Sequence, residues 1–171
     1  MMLPLSPRMS YGQMRMALYD VAPELTVSSA LLPGNMDGLY CRETNTILID
    51  RRVTYTRKRC ILVHELIHWE YGDDTTNGCA GGRLERRCRK ETALLLVDPI
   101  EYGDDTTNGC AGGRLERRCR KETALLLVDP IEYATAEQVY EGNPYRIASE
   151  LDVTLDVIND YRQLLHDRTV V

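Results

Sequence analysis

The stretch CILVHELIHW, residues 60–69, decides how this chain folds. It is apolar on nearly every side, which predicts a helix inside the core rather than on the surface. Thr54 or Thr56 can cap this helix, which should run to about Tyr71. His64 and His68 are four residues apart, so a helix places them on one face, one turn from each other.

Two imidazoles at this spacing can bind one zinc ion, with Zn–N distances of about 2.0–2.1 Å. Glu65 follows the first histidine, is offset by about 100° around the axis, and is placed to act as a general base. Zinc lowers the pKa of a bound water from about 15.7 toward ~7, so hydroxide becomes available at neutral pH. The alternative is a pair of core histidines hydrogen-bonded to their neighbours. We favour the metal, because the pattern is specific and only three histidines occur in the chain.

A 31-residue segment occurs twice in tandem without a single difference, at residues 70–100 and 101–131. Two identical copies are not a solenoid pattern, because structural repeats keep their pattern while their surface residues vary. One copy is therefore surplus to a domain of about 140 residues, the usual size of one domain. We treat residues 1–171 as a single metallopeptidase-like domain that carries one surplus copy.

A catalytic zinc site needs a third protein ligand and one open position. The best candidates lie on the helix predicted over residues 83–97. Glu85 falls near the middle of its inward stripe, whereas Glu91 falls at the edge and suits a surface or supporting role. Glu116 is the counterpart of Glu85 in the second copy. We favour Glu85, because a short loop over residues 72–82 delivers it directly, with Glu116 as the alternative.

The remaining pattern predicts an α+β fold with a small antiparallel sheet and a mainly helical C-terminal part. Predicted helices cover residues 10–21, 134–140, 145–151 and 155–165, and predicted strands cover residues 25–32, 39–41 and 46–49. The two helices at 145–165 resemble a helix-turn-helix. The second of them carries aspartates rather than a basic surface, so we interpret the pair as packing helices or a protein-docking surface.

Composition excludes several classes of protein. The net charge of −5 argues against direct nucleic-acid binding, and we interpret the local basic stretches as solvated faces, with partner docking as the alternative. The first residues lack the apolar core of a signal peptide, and no apolar run approaches the ~20 residues of a membrane span. We therefore expect a cytoplasmic protein. Its six cysteines form no Cys-x-x-Cys pair and should be free thiols rather than a metal cluster.

These features resemble the ImmA/IrrE family of metallopeptidases, and most closely its short actinobacterial or phage-borne members. The similarity covers about residues 10–165, except for one repeat copy. Its motifs are Gly38-Leu39-Tyr40 leading into residues 46–50, then residues 59–70, then Glu85 through the apolar run at 94–97. The similarity is specific around the zinc motif. Elsewhere it is weak and limited to the general pattern of residue types.

The resemblance implies a zincin-like core, His64 and His68 as zinc ligands, Glu65 as the base, and Glu85 or Glu116 as the third ligand. It also implies a regulatory protein substrate, such as a helix-turn-helix repressor of a mobile element. Two other hypotheses stay open. One is a non-proteolytic antirepressor that keeps the metal for structure, and the other is an inactive product of the duplication.

Overall fold

A computed structural model describes residues 5–32, 36–72 and 112–169 of the chain. These parts form a mostly helical α+β fold, as predicted. The helices are α1 Tyr11–Val21, α2 Tyr55–Tyr71, α3 Gly112–Leu127, α4 Pro130–Val139, α5 Pro144–Glu150 and α6 Leu155–Thr169, and the strands are β1 Thr26–Ala30, β2 Gly38–Cys41 and β3 Thr46–Asp50. The predicted loop at residues 72–82 continues beyond these parts, and the helix predicted at 83–97 lies outside them.

The three strands form a mixed sheet, so the prediction of an antiparallel sheet was wrong. β3 lies in the centre and pairs antiparallel with β2, as the predicted hairpin requires, but parallel with β1. β3 contains the buried run Ile47, Leu48 and Ile49. A strand that is apolar on both faces gains most from the central position, because neighbouring strands on both sides then help to shield its side chains from water. The chain therefore crosses from β1 to β2 and leaves room for β3 between them.

Helix α2 lies within the core, as its apolar sequence predicted. Thr54 caps it by accepting a hydrogen bond from the backbone N–H of Arg57, and Gly72 ends it in the left-handed conformation. Its inward positions are at most 1% exposed, and they pack in the same core cluster as residues of α1, β3 and the C-terminal helices. These positions are Leu62, Val63, Leu66 and Ile67. The helix is thereby held in one rotation about its axis.

Two polar side chains fix α2 relative to its surroundings. The indole N–H of Trp69 donates to Asn45 Oδ1 at 2.9 Å, which ties the end of the helix to the β2–β3 turn. The guanidinium of Arg59 is 2% exposed and donates to backbone carbonyls at Met9 (2.9 Å) and Asp152 (2.5 Å), among others. A buried guanidinium needs such acceptors, and here they join α2 to the N-terminal segment and to the α5–α6 turn.

The C-terminal helices follow one another closely. Residues 128 and 129 connect α3 to α4, and Asp129 caps α4 by accepting hydrogen bonds from two backbone N–H groups. Ile147 and Ile158 are fully buried, so α5 and α6 pack into the core, as one of the two interpretations of the helix-turn-helix pattern predicted. In the described parts of the chain, no helix is both long and apolar enough to cross a membrane.

Candidate metal centre

The two histidines of α2 approach each other closely at their ring edges. His64 Nε2 and His68 Nε2 are 3.2 Å apart, and the rings meet nearly edge to face. Both side chains are mostly buried, with 19% and 18% of their surface exposed. The four-residue spacing on a helix held rigidly by its apolar neighbours accounts for this geometry.

Helix α3 brings a carboxylate to the same place. Glu116 Oε1 lies 3.5 Å from His64 Nε2, and Glu116 Oε2 lies 3.7 Å from His68 Nε2. The Glu116 side chain is 52% exposed, so one side of the group faces open space. The alternative third ligand is thus beside the histidines, whereas Glu85, the favoured one, lies outside the described residues.

These three residues fit a zinc ion by their donor chemistry and by their spacing. Two imidazoles and a carboxylate form a common donor set for catalytic zinc. A tetrahedral site with ligand bonds near 2.0–2.1 Å has ligand-to-ligand distances of about 3.3–3.4 Å. The separations of 3.2, 3.5 and 3.7 Å, the last two to different oxygens of Glu116, lie around this value. The two imidazoles and the Glu116 carboxylate would thus supply three ligands of such a site, and its fourth position would be left for a water or a substrate.

The charges within the group reinforce one another. Hydrogen bonds from His64 and His68 lower the pKa of Glu116, so its carboxylate stays ionised. Burial lowers the pKa of His68, but hydrogen bonds with Cys119 and Glu116 outweigh it and raise that pKa. An ionised carboxylate beside two imidazoles favours a cation at this place, either protons or a metal.

Glu65 lies beside this group and contacts the sheet. Burial raises the pKa of Glu65, while the neighbouring histidines and the backbone N–H of Tyr40 in β2 act in the opposite direction. The strand is very close here, since a Cβ on Gly38 would overlap Cγ2 of Ile61 and lie 3.3 Å from the carbonyl oxygen of Leu48. Glycine at this position therefore lets β2 approach α2 and Glu65.

Cys119 is a site residue that the sequence reasoning did not assign. Its sulfur lies 3.4 Å from Nδ1 of His68, and the residue is fully buried. When Nε2 of a histidine binds a metal, the other ring nitrogen needs a partner that fixes the ring. Cys119 is placed to be that partner. The signal was present, because Cys119 is three residues after Glu116 and falls on the same helical face.

A cleft of about 560 Å³ opens beside the group, in the range of ligand pockets. His64, Glu65 and Glu116 lie at its wall, and residues of α6 form another part of that wall. The sequence interpretation of the C-terminal helices did not include a role beside the metal centre. The histidine pattern could not reveal that α6 lines the cleft, since α6 reaches the cleft only through tertiary packing.

Other predicted residues have plainer positions. His166, the third histidine of the chain, is exposed near the end of α6. Glu122, the counterpart of Glu91, accepts a hydrogen bond from the exposed Tyr71 hydroxyl at 2.9 Å, in keeping with a surface role. Among the cysteines within the described ranges, Cys41, Cys60 and Cys119 are buried and not disulfide-bonded. The other three cysteines and Glu91 lie outside those ranges.

Comparisons with models of known protein families, with curated proteins and with solved structures gave no match.

Proposed function

We propose that the chain is a zinc-dependent endopeptidase that cleaves a regulatory protein in the cytoplasm. The observation that carries the proposal is the convergence of His64, His68 and Glu116 beside Glu65, at the wall of a cleft. The resemblance to the ImmA/IrrE family supplies the substrate class, a repressor of a mobile element. No direct contact with nucleic acid or a membrane is part of the proposal.

A zinc ion held by His64, His68 and Glu116 would supply Lewis acidity and a water of lowered pKa. Three protein ligands leave one position open toward the cleft, as catalytic zinc sites require. Glu116 is half exposed and lines that cleft. The peptide enters from the same cleft, so the scissile carbonyl reaches the site without passing through the core.

Glu65 is the general base in this proposal. It takes a proton from the attacking water and gives it to the leaving amine. The N–H of Tyr40 holds one side of its carboxylate, so the side chain keeps a fixed direction. Cys119 orients the ring of His68 and leaves its Nε2 pointing toward Glu116.

The test compares the zinc-loaded protein with its Glu65→Gln variant. We expect turnover of a fluorescence-quenched peptide library to fall by about 10²–10⁴-fold in the variant, the usual contribution of acid–base catalysis. Zinc content measured by mass spectrometry should stay at one ion per chain, because Glu65 is not a ligand. Glu70→Gln, an exposed glutamate on the same helix, is the matched control and should keep full turnover.

Undiminished turnover in Glu65→Gln contradicts the proposed role of Glu65. A wild-type protein that binds zinc, cleaves no peptide and still inactivates a repressor would favour the antirepressor hypothesis. The two functions are therefore separated by one variant and two measurements.

A further inference from the structure

One part of the cleft has its own chemistry, distinct from the metal centre. It lies between α3 and α6 and includes Arg120 and Thr123 from α3 together with Asp156 and Asp160 from α6. Glu116, Arg120 and Thr123 follow one another at helical spacing, so the metal centre and this region share one face of α3. We refer to these four residues as the α3–α6 subsite.

The hydroxyl of Thr123 is buried without a partner. The residue is 4% exposed, it lines the cleft, and among the described residues its Oγ1 has no hydrogen-bond partner. A threonine within a helix can bond to the carbonyl one turn earlier, but this one does not. Buried polar groups are nearly always paired, and the exceptions often mark sites where a ligand completes the bond.

The charges along the cleft are unequal. Arg120 makes a two-point contact with Asp160, at 2.9 and 2.6 Å, and Arg57 pairs with Asp37, which also lines the cleft. Each of these arginines is thus neutralised by an aspartate. Asp156 is exposed in the first turn of α6 and interacts electrostatically with Arg120, but it makes no direct contact of this kind within the described ranges. The net charge of the lining outside the metal centre is therefore negative.

We propose that the α3–α6 subsite binds a lysine or arginine side chain of the protein substrate, beside the bond to be cleaved. Asp156 attracts the cationic group, and Thr123 Oγ1 accepts a hydrogen bond from one of its N–H donors. An apolar side chain would leave the Thr123 hydroxyl unpaired, and an acidic one would face Asp156. The inference rests on the proposed function, since it names a substrate feature for the same cleft.

The probe is a random octapeptide library, captured on the zinc-loaded Glu65→Gln protein and read by pool sequencing. We expect lysine and arginine to be enriched at one position. Fluorescent single peptides then carry lysine, norleucine or glutamate at that position. Norleucine has nearly the shape of lysine without the charge, so the ratio of the two dissociation constants isolates the cation.

Two substitutions outside the metal ligands test the residues. Asp156→Asn should reduce the preference for lysine over norleucine by about two- to fivefold, the range for an exposed ion pair. Thr123→Val should weaken binding of the lysine peptide about tenfold and leave binding of the norleucine peptide unchanged. The matched controls are Asp20→Asn, an exposed aspartate on α1, and Thr123→Ser, which keeps the hydroxyl. Both should bind like the parent protein.

Stability gives an independent readout for Thr123. Because its hydroxyl is buried and unpaired, Thr123→Val should not lower the melting temperature and should raise it by about 2–4 °C. A merely structural threonine would show the opposite, a loss of stability together with any loss of binding.

Several results would overturn the subsite. Capture of no peptide, capture without enrichment of basic residues, or a lysine preference that survives both substitutions each contradicts it. The outcome is distinguishable from that of the proposed function. Cleavage without a preference for basic residues would support the endopeptidase and contradict the subsite. Selective binding of basic peptides without cleavage by the wild-type protein would support the subsite and contradict the endopeptidase.

Discussion

Replacing the third ligand by glutamine in each repeat copy tests the metal centre most directly. Glu85 and Glu116 occupy identical 31-residue surroundings, so Glu85→Gln and Glu116→Gln are matched in every neighbouring residue. Glutamine keeps the size of the side chain and removes its charge. Any difference between the two variants therefore reports which copy of the segment reaches His64 and His68.

The full effect of losing the ligand can be estimated from the number of ligands. Zinc binding by four protein ligands is worth roughly 10–16 kcal/mol in small zinc domains, or about 2.5–4 kcal/mol for each ligand. A carboxylate lost from the centre should therefore weaken zinc binding by about 10²–10³-fold. We expect this full loss in the double variant, in which neither copy can supply a carboxylate.

The single variants differ because one copy can replace the other. With the second copy in place, 40 residues join α2 to α3 and two residues join α3 to α4. With the first copy in place, these connections would have nine and 33 residues. The scaling of loop closure with length then favours the second copy by about 1 kcal/mol. Glu116→Gln should accordingly weaken zinc binding at least about fivefold, while Glu85→Gln should leave it unchanged.

The assay is competition with a fluorescent zinc chelator at neutral pH, with each variant checked for folding by circular dichroism. Wild-type affinity in the double variant would refute the carboxylate as a ligand. A loss in Glu85→Gln with none in Glu116→Gln would show that the first copy completes the centre, and the connection argument would then be wrong.

Three further perturbations probe the frame around the site. Gly38→Ala places a methyl group against Ile61 and should lower the free energy of unfolding by about 1–3 kcal/mol, measured by urea denaturation; an unchanged midpoint would contradict the close contact of β2 and α2. Asp50 is buried, and hydrogen bonds from Arg52 lower its pKa from 3.8, so it stabilises the fold above that pH and loses this effect as the pH falls. Asp50→Asn should therefore cost about 1–2 kcal/mol near neutral pH and less in acid, whereas an equal loss at both pH values would refute the charge effect. Deleting residues 70–100 should leave a chain of 140 residues that folds and binds zinc within about threefold of the parent affinity, since the nine remaining connecting residues can span ~30 Å; calorimetry and the chelator assay would detect a failure.

Local sequence signals predicted the helical elements well. The apolar run around His64 placed α2 in the core, and Thr54 and Gly72 are where the capping rules expect them. The hairpin of β2 and β3 followed from two short apolar runs around a polar turn. The pairing of β1 with β3 was missed, because strand order depends on which strand is most buried rather than on order along the chain.

The choice of the third ligand shows a different limit. Glu85 and Glu116 have the same neighbours along the chain, so no property of the residues themselves can separate them. The preference for Glu85 counted only the short connection from α2. It left out the second connection, in which residues 128 and 129 join α3 directly to a helix capped by Asp129. The lengths of both connections contribute to the free energy of loop closure, and the shortest connection is the one on the C-terminal side of the second copy.

One face of α3 links the proposed chemistry to the proposed specificity. At successive helical positions it carries Glu116 beside the histidines, Cys119 on the ring of His68, and Thr123 in the cleft. Both the cysteine and the threonine are buried. Burial alone does not separate a packing residue from a site residue, however. The difference lies in the partner, which is a histidine nitrogen for Cys119 and, in our proposal, a substrate cation for Thr123. Because the three side chains share one rigid helix, a shift of α3 would alter metal binding and substrate preference together.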